Sequence, residues 1–137
     1  MKKSFKFIIF LLFIQIIFGF EQASKLEASI KRGKDLYQVN CQSCHMISGE
    51  GIPGVFPPLK NSTRVSDKNR MIEVVLNGMK GPVVINNQKY NGEMAAFDMF
   101  SDQEVSDVLN FIRNSFGNKN ESIEPKEVRD IRNKAAN

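Results

Sequence analysis

The segment Cys41-Gln42-Ser43-Cys44-His45 constrains this chain more than any other. Two thiols three positions apart lie about one helical turn apart. This separation matches two neighbouring vinyl groups on one edge of a porphyrin, so each thiol can form a thioether to the ring. The histidine that follows is then held under the ring, where its Nε2 can bind iron from one side. C-x-x-C-H is the attachment signature of haem c, and the segment predicts one covalently bound haem.

Two other interpretations of the cysteines remain open. A structural zinc site usually takes four protein ligands, and the chain has only two cysteines and one histidine. Zinc would therefore need carboxylates or a second chain. A dithiol redox pair is expected beside a βαβ unit, whereas the sequence around Cys41 predicts a helix followed by a loop.

The first 19 residues are predicted to be a secretory signal peptide. Lys2, Lys3 and Lys6 form a positive start, and Phe7–Phe18 is apolar apart from Gln15. The run is shorter than the ~20 apolar residues of a spanning helix. Gly19 supplies a small residue at a cleavage point, and an uncleaved N-terminal anchor is the alternative. Either outcome exports the domain, to the periplasm or to the periplasmic face of the inner membrane.

The charge of the chain gives no support to nucleic-acid binding. The formal net charge is +4, but three of the 19 Lys and Arg residues lie in the leader. The remaining 16 basic residues face 15 acidic ones, so the mature domain is nearly neutral. Its length corresponds to one domain.

Apolar spacing predicts three main helices and one short terminal helix. In the first, Leu26, Ile30, Gly33 and Tyr37 recur at three- and four-residue steps, and Gly33 suggests the close approach of another helix. The second main helix begins after a cap at Ser66-Asp67, and the third begins at a capping box from Ser101 to Glu104. Gly117 is predicted to cap the C-terminal end of the third. The predicted helices are Ala23–Asn40, Asn69–Asn77, Asp102–Ser115 and a short, charged, peripheral one from Glu124 to about Lys134.

Between the second and third helices the chain predicts a small β-hairpin. Val83–Ile85 and Gln88–Tyr90 are short strand-like runs, and Asn86-Asn87 is the turn between them.

A proline-rich loop is expected beside the histidine. Glycines and prolines break any regular element between Gly49 and Pro58. Both Pro57 and Pro58 have a fixed φ, so this part of the backbone is stiff. A rigid carbonyl there can accept the Nδ1 proton of His45 and fix its tautomer. Leu59 would then pack on the ring, although an ordinary proline turn is the alternative.

A methionine is expected as the second axial ligand. Met94 lies in an extended, glycine-preceded stretch, and a thioether is a soft ligand suited to haem iron. Met79 and Met99 are rivals, and any of these methionines can instead fill the core. Met46 adjoins His45 and cannot reach the opposite side of the ring.

Taken together, these residues resemble the class I c-type cytochromes, over about Ser29 to Gly117. Gly33, Tyr37 and Cys41 match the N-terminal helix of that family, which leads into C-x-x-C-H. The resemblance implies that Gly33 lies where this helix crosses the C-terminal one, against Val108 and Phe111.

Two further segments carry the same resemblance. Pro57-x-Leu59 is similar to the family segment whose proline carbonyl holds the proximal histidine. Tyr90–Met94 resembles the loop that bears the axial methionine, which implies that Met94 is the sixth ligand and that Tyr90 adjoins the cofactor. One departure is Ala95, where the family usually has proline, so we expect a more mobile loop.

The resemblance implies an all-α cytochrome c fold, with three core helices around one covalently bound haem and a small β-hairpin. Residues 1–19 would be the leader, 24–117 the cytochrome c domain and 118–137 a short helical extension. The implied function is transfer of one electron between periplasmic or membrane redox proteins such as a reductase, dehydrogenase or oxidase. No small-molecule substrate is expected, and the N-terminus can associate with the membrane if it is not cleaved.

Two alternatives to a free carrier remain. The chain can be the haem subunit of a larger oxidoreductase, of the nitrite reductase, alcohol dehydrogenase or terminal oxidase type. Less favoured is a peroxidase-like enzyme in which the methionine leaves the iron, because His45 is the only histidine and none remains to assist catalysis.

Overall fold

The computed structural model describes the backbone of residues 2–135 and the side chains of residues 21–134. Helices and a two-stranded sheet make up its regular structure, as the sequence predicts. The elements in chain order are α1 (Lys2–Asn40), α2 (Gln42–His45), α3 (Lys68–Asn77), β1 (Val83–Ile85), β2 (Gln88–Tyr90), α4 (Asp102–Arg113) and α5 (Pro125–Ala135), with a 3₁₀ turn at Thr63–Ser66.

The predicted hairpin is confirmed residue by residue. β1 and β2 pair antiparallel, with Val83 opposite Tyr90. The turn residues Asn86 and Asn87 have φ angles of 50° and 61°. Two successive left-handed residues are the requirement of a type I′ turn, whose twist matches that of the strands, and asparagine tolerates this conformation.

Both predicted helix caps are present. The Asp67 side chain accepts a hydrogen bond from the amide of Arg70 at the start of α3. Ser101 and Glu104 form the reciprocal capping box of α4. The predicted end of α4 is wrong by two residues: Asn114 is its C-cap and Gly117 comes later. The chain turns early because Phe116, with a φ of 58°, folds back onto the core.

Helices α1 and α4 cross where the sequence places Gly33. A Cβ at this position would overlap the backbone carbonyl of Asp107 and lie 3.0 Å from the Cβ of Phe111. Only glycine therefore allows the two helices to come this close. The atoms nearest to position 33 belong to Asp107 and Phe111, so the expected crossing against Phe111 is confirmed.

The core lies along this crossing and extends to α3 and α5. Its buried hydrophobic members are Tyr37, Val65, Ile72, Val75, Leu76, Val105, Val108, Leu109, Phe111, Ile112, Ile123 and Val128. Of the described side chains of the terminal helix, only Val128 is completely buried, and the others are half-buried or exposed. Ile123 reaches the core because Asn110 of α4 binds its backbone at both the amide and the carbonyl, at 2.7 and 2.9 Å.

The N-terminal helix is longer than the sequence predicts, since α1 begins at Lys2 rather than at Ala23. The side chains of the predicted leader lie outside the described residues, so its cleavage stays a prediction. Among the residues whose side chains are described, 21–134, no helix is long and apolar enough to cross a membrane.

Candidate haem site

Two adjoining cavities open on the side of the molecule where α2, the proline loop and the hairpin meet. Each encloses about 860 Å³ of empty space, including its open mouth. We refer to the two together as the chamber. Both cavities are lined by Cys41, His45, Pro57, Met79, Val83, Met94 and Phe97. The chamber therefore collects the residues of the C-x-x-C-H segment, the proline loop and the methionine loop.

The C-x-x-C-H segment continues from α1 through one tight turn into α2. The amide of Cys41 donates to the carbonyl of Tyr37, and the amide of His45 donates to the carbonyl of Cys41, each at 2.9 Å. Cys41 lines both cavities and Cys44 lines the second. Burial, with a smaller effect of Cys44, raises the pKa of the Cys41 thiol to about 11. A thiol that stays protonated at neutral pH is a poor member of a dithiol redox pair.

His45 is held by one nitrogen and presents the other to the chamber. The side chain is only 9% exposed, and its Nδ1 lies 2.9 Å from the carbonyl oxygen of Pro57. A carbonyl can only accept, so Nδ1 carries the proton and Nε2 keeps a lone pair. Among the described residues, Nε2 makes no hydrogen bond. Burial lowers the pKa of His45, against a smaller opposing effect of the Pro57 carbonyl, so the ring is neutral and able to bind a metal.

The loop that carries Pro57 is held by hydrogen bonds within the loop and by a contact with the aromatic part of the core. The carbonyl of Gly49 accepts from the amides of Leu59 and Lys60, both at 2.8 Å. The hydroxyl of Tyr37 donates to the carbonyl of Met46 at 2.6 Å. Tyr37 also stacks on Phe111 and Phe116, with centroids 5.2–5.3 Å apart. The orientation of His45 thus depends on the aromatic part of the core.

Of the three methionines considered as the second ligand, the structure places two at the chamber. Met94 and Met79 line both cavities, whereas Met99 is 75% exposed and lines neither. Met79 and Met94 also face each other in an isolated antiparallel bridge. The bridge continues the register of the hairpin, since Met79 and Met94 lie four residues beyond the pair of Val83 and Tyr90 on each side.

The other residues predicted to contact the cofactor also lie at the chamber. Pro57 lines both cavities, Leu59 lines the first, and the buried Tyr90 lines the second. The structure therefore brings together every residue that the sequence and the resemblance select for the site.

Two cationic residues at the chamber were missed by the sequence analysis. Arg64 and Arg70 line the first cavity, whose other walls are aliphatic, aromatic and thioether side chains apart from Ser62. A guanidinium nitrogen of Arg64 donates to the carbonyl of Val84 at 2.9 Å. Arg64 precedes α3 and Arg70 lies in its first turn, but no local pattern in the sequence shows that these two residues face a cavity.

The chamber suits a flat, largely apolar group with an acidic edge and a metal at its centre. Its walls are mostly hydrophobic, a neutral imidazole and the thioethers of Met71, Met79 and Met94 line it, and two arginines lie at its border. A zinc site fits less well. In the part of the chain with described side chains, no three His, Cys, Asp or Glu side chains lie close enough to hold a metal ion.

Comparison with known proteins gives the same assignment. The family model described as cytochrome c matches residues 30–116. Cytochrome c-552 of Thermus thermophilus is 36% identical over 90 residues, which cover 62% of this chain and 68% of the relative. The match covers 60% of the cytochrome c-552 from a second strain of the same species. The cytochrome c subunit of the quinone alcohol dehydrogenase of Gluconobacter oxydans is 37% identical over 89 residues, which cover only 18% of its length.

Proposed function

This chain belongs to the class I c-type cytochromes, electron carriers rather than enzymes, and on that premise we propose that it shuttles single electrons through one haem c with His45 and Met94 as axial ligands. The observation that carries the proposal is the state of His45. Its Nδ1 is bound by Pro57, its Nε2 is free, and an apolar chamber with a thioether lies in front of it.

Each part of the chamber has a role in holding the cofactor. The sulfurs of Cys41 and Cys44 would form the two thioether bonds, and His45 would bind through Nε2. Met94 would supply a second ligand, and a soft sulfur favours Fe(II). The family implies haem c, which supplies an iron that changes between Fe(III) and Fe(II).

The cationic edge of the chamber matches the acidic edge of a haem. Arg64 and Arg70 would pair with its two carboxylates, Arg70 in exchange for its 3.6 Å ion pair with Glu73, while Leu59 and Val108 among others would pack against the ring. This pairing places the carboxylates away from Cys44, which lines only the second cavity.

With His45 and Met94 both holding the iron, no ligand position would be left for a substrate, so the chain would transfer electrons without binding one. The pathway leaves at the thioether edge, next to Cys44. Exposed apolar side chains lie in the loop that follows Cys44: Ile47, Ile52 and Val55 are 70%, 38% and 50% exposed, and Val55 lines the second cavity together with Cys44. A redox partner docks there through a small, transient interface. The leader places the encounter in the periplasm or at the membrane surface.

The alcohol dehydrogenase subunits among the relatives favour a second candidate, a haem subunit held in a larger oxidoreductase. A tagged chain purified from its own cells separates the two. A free carrier elutes as a monomer, whereas a subunit elutes with a dehydrogenase or reductase in fixed ratio.

Covalent attachment is the direct test of the proposed cofactor. Protein made with a haem c maturation system should keep one haem after denaturation, visible by mass and by haem staining of a gel. The double variant Cys41→Ser, Cys44→Ser should lose all of it, and Ser43→Ala should lose none. Wild-type protein that releases its haem on denaturation contradicts the proposal.

A further inference from the structure

The methionine loop is paired with a second methionine. The amide of Met79 donates to the carbonyl of Met94 at 3.0 Å, and the amide of Met94 donates to the carbonyl of Met79 at 2.9 Å. Two residues that exchange both bonds form a hydrogen-bonded antiparallel pair, with Cα atoms about 5.5 Å apart. Side chains of directly opposed residues project to the same side of such a pair. The two thioethers are therefore neighbours.

The cavity linings show that the side to which both methionine side chains project is the chamber. Met79 and Met94 both line both cavities of the chamber, as does His45. Both side chains thus border the same space as His45. Both are half-buried, and Met94 packs against the core cluster, of which Met79 is not a member.

The bridge between Met79 and Met94 depends on Gly78, the residue before Met79. Gly78 has a φ of 72°, and a Cβ there would lie 2.5 Å from the carbonyl oxygen of Met94 and 3.0 Å from the amide of Ala96. A side chain at position 78 would push the Met94 segment away. On the far side of the loop, the amide of Phe97 donates to the carbonyl of Val75 at 2.8 Å. Both ends of the segment are therefore attached to the end of α3, with Met79 between them.

We propose that Met79 is a reserve axial ligand, which binds the iron when the sulfur of Met94 is lost or displaced. The inference rests on the proposed His45 and Met94 ligation and extends it to a second sulfur. The exchange is a ligand substitution: one iron–sulfur bond breaks, another forms, and no electron or proton is transferred. It keeps the iron six-coordinate and excludes small molecules even when the Met94 loop opens.

Leucine variants test this, because leucine replaces methionine at similar volume without a ligand atom. The set is Met94→Leu, Met79→Leu, the double variant and Met99→Leu as a matched control. Two readings are taken on haem-loaded protein: the weak far-red band of sulfur-to-iron charge transfer when oxidised, and carbon monoxide binding when reduced. Haem content and far-ultraviolet circular dichroism confirm that each variant is folded.

The reserve role predicts a far-red band in the wild type, in Met79→Leu and in Met94→Leu, and its loss only in the double variant. Met94→Leu should bind carbon monoxide roughly tenfold more slowly than the double variant, because a bound thioether has to leave first. Met99→Leu should match the wild type.

The outcomes separate the two proposals. A wild type without the band refutes the axial methionine itself. A wild type with the band and a Met94→Leu variant without it refutes only the reserve ligand. Loss of the band in Met79→Leu alone would make Met79 the resident ligand or an essential support of the loop, and either result overturns the reserve role.

Discussion

The two sides of this molecule are stabilised in different ways. On the packed side, α1, α4 and α5 fill their shared space with their own side chains, and Val105, Leu109 and Val128 have no exposed surface. On the chamber side, α3, the hairpin and the two loops surround two open cavities. The same chain thus contains a core that is complete and one that needs a cofactor to fill it.

This difference assigns structural support to the packed side and redox chemistry to the chamber side. The packed side sets the positions of the cysteines and the histidine, through Gly33 at the helix crossing and Tyr37 beneath the loop. The chamber side supplies the sulfur ligands and the cations. Changes on the packed side should alter stability, and changes at the chamber should alter spectrum and potential.

Removing the haem should have the largest effect. Without it the apolar walls of the chamber face water, and we expect the haem-free protein to be poorly folded, having lost most of the ~5–15 kcal/mol of a typical domain. Thermal melting followed by circular dichroism, with and without haem, makes the comparison. Native-like helicity and cooperative melting in the haem-free protein would show that the packed side folds without the cofactor.

Gly33→Ala should be the most damaging single substitution on the packed side. The new Cβ overlaps the carbonyl of Asp107, so α1 and α4 must separate, at a cost of about 3 kcal/mol in the free energy of unfolding. Lys34→Ala, exposed on the same helix, is the control and should be nearly neutral. Denaturant titration of the haem-loaded proteins measures both. Equal stabilities would mean that the helices do not cross closely at Gly33.

Arg64→Gln and Arg70→Gln should lower the reduction potential while leaving the fold intact. A cation near the haem favours the less positive Fe(II) state. At ~10 Å and a dielectric constant of ~80, one charge contributes about 0.4 kcal/mol, or roughly 20 mV. Potentiometric titration checks this, with Lys68→Gln as a control that does not line the chamber. An unchanged or raised potential in both variants would remove the arginines from the proposed haem contacts.

Ala95→Pro should have the smallest effect and should be stabilising. The amide of Ala95 donates no hydrogen bond within the described residues, and Met94 before it is in a β-bridge, a conformation that precedes proline readily. Stiffening the loop should make the free energy of methionine binding to the iron more favourable by ~0.5 kcal/mol. The far-red band during a denaturant titration is the measurement, and a band lost earlier than in the wild type would contradict this expectation.

Local patterns in the sequence were enough to locate the main helices, two of their N-caps and the hairpin, but not the start of α1 or the end of α4. The Ser101 and Glu104 pair and the Asn86-Asn87 turn act through bonds within four residues, so sequence shows them directly. The packing of the segment before the terminal helix was not predictable, because it depends on Asn110 binding the backbone of Ile123 across 13 positions.

The candidate site was predictable in its covalent motif and less so elsewhere. Cys41, Cys44 and His45 are recognised from spacing alone, and the resemblance added Met94. The bridge of Met79 to Met94 continues the register of the predicted hairpin, but the position of both side chains at the chamber, like the approach of Arg64, depends on the packing of the folded chain. Only the folded chain shows these contacts.

The visible spectrum of the haem-loaded protein, oxidised and then reduced, tests the central claim most directly. We predict sharp, split low-spin bands after reduction and the weak far-red sulfur-to-iron band in the oxidised form. Low-spin bands without the far-red feature would exclude a methionine ligand. A high-spin spectrum would contradict a saturated electron carrier and point instead to an iron with an open position.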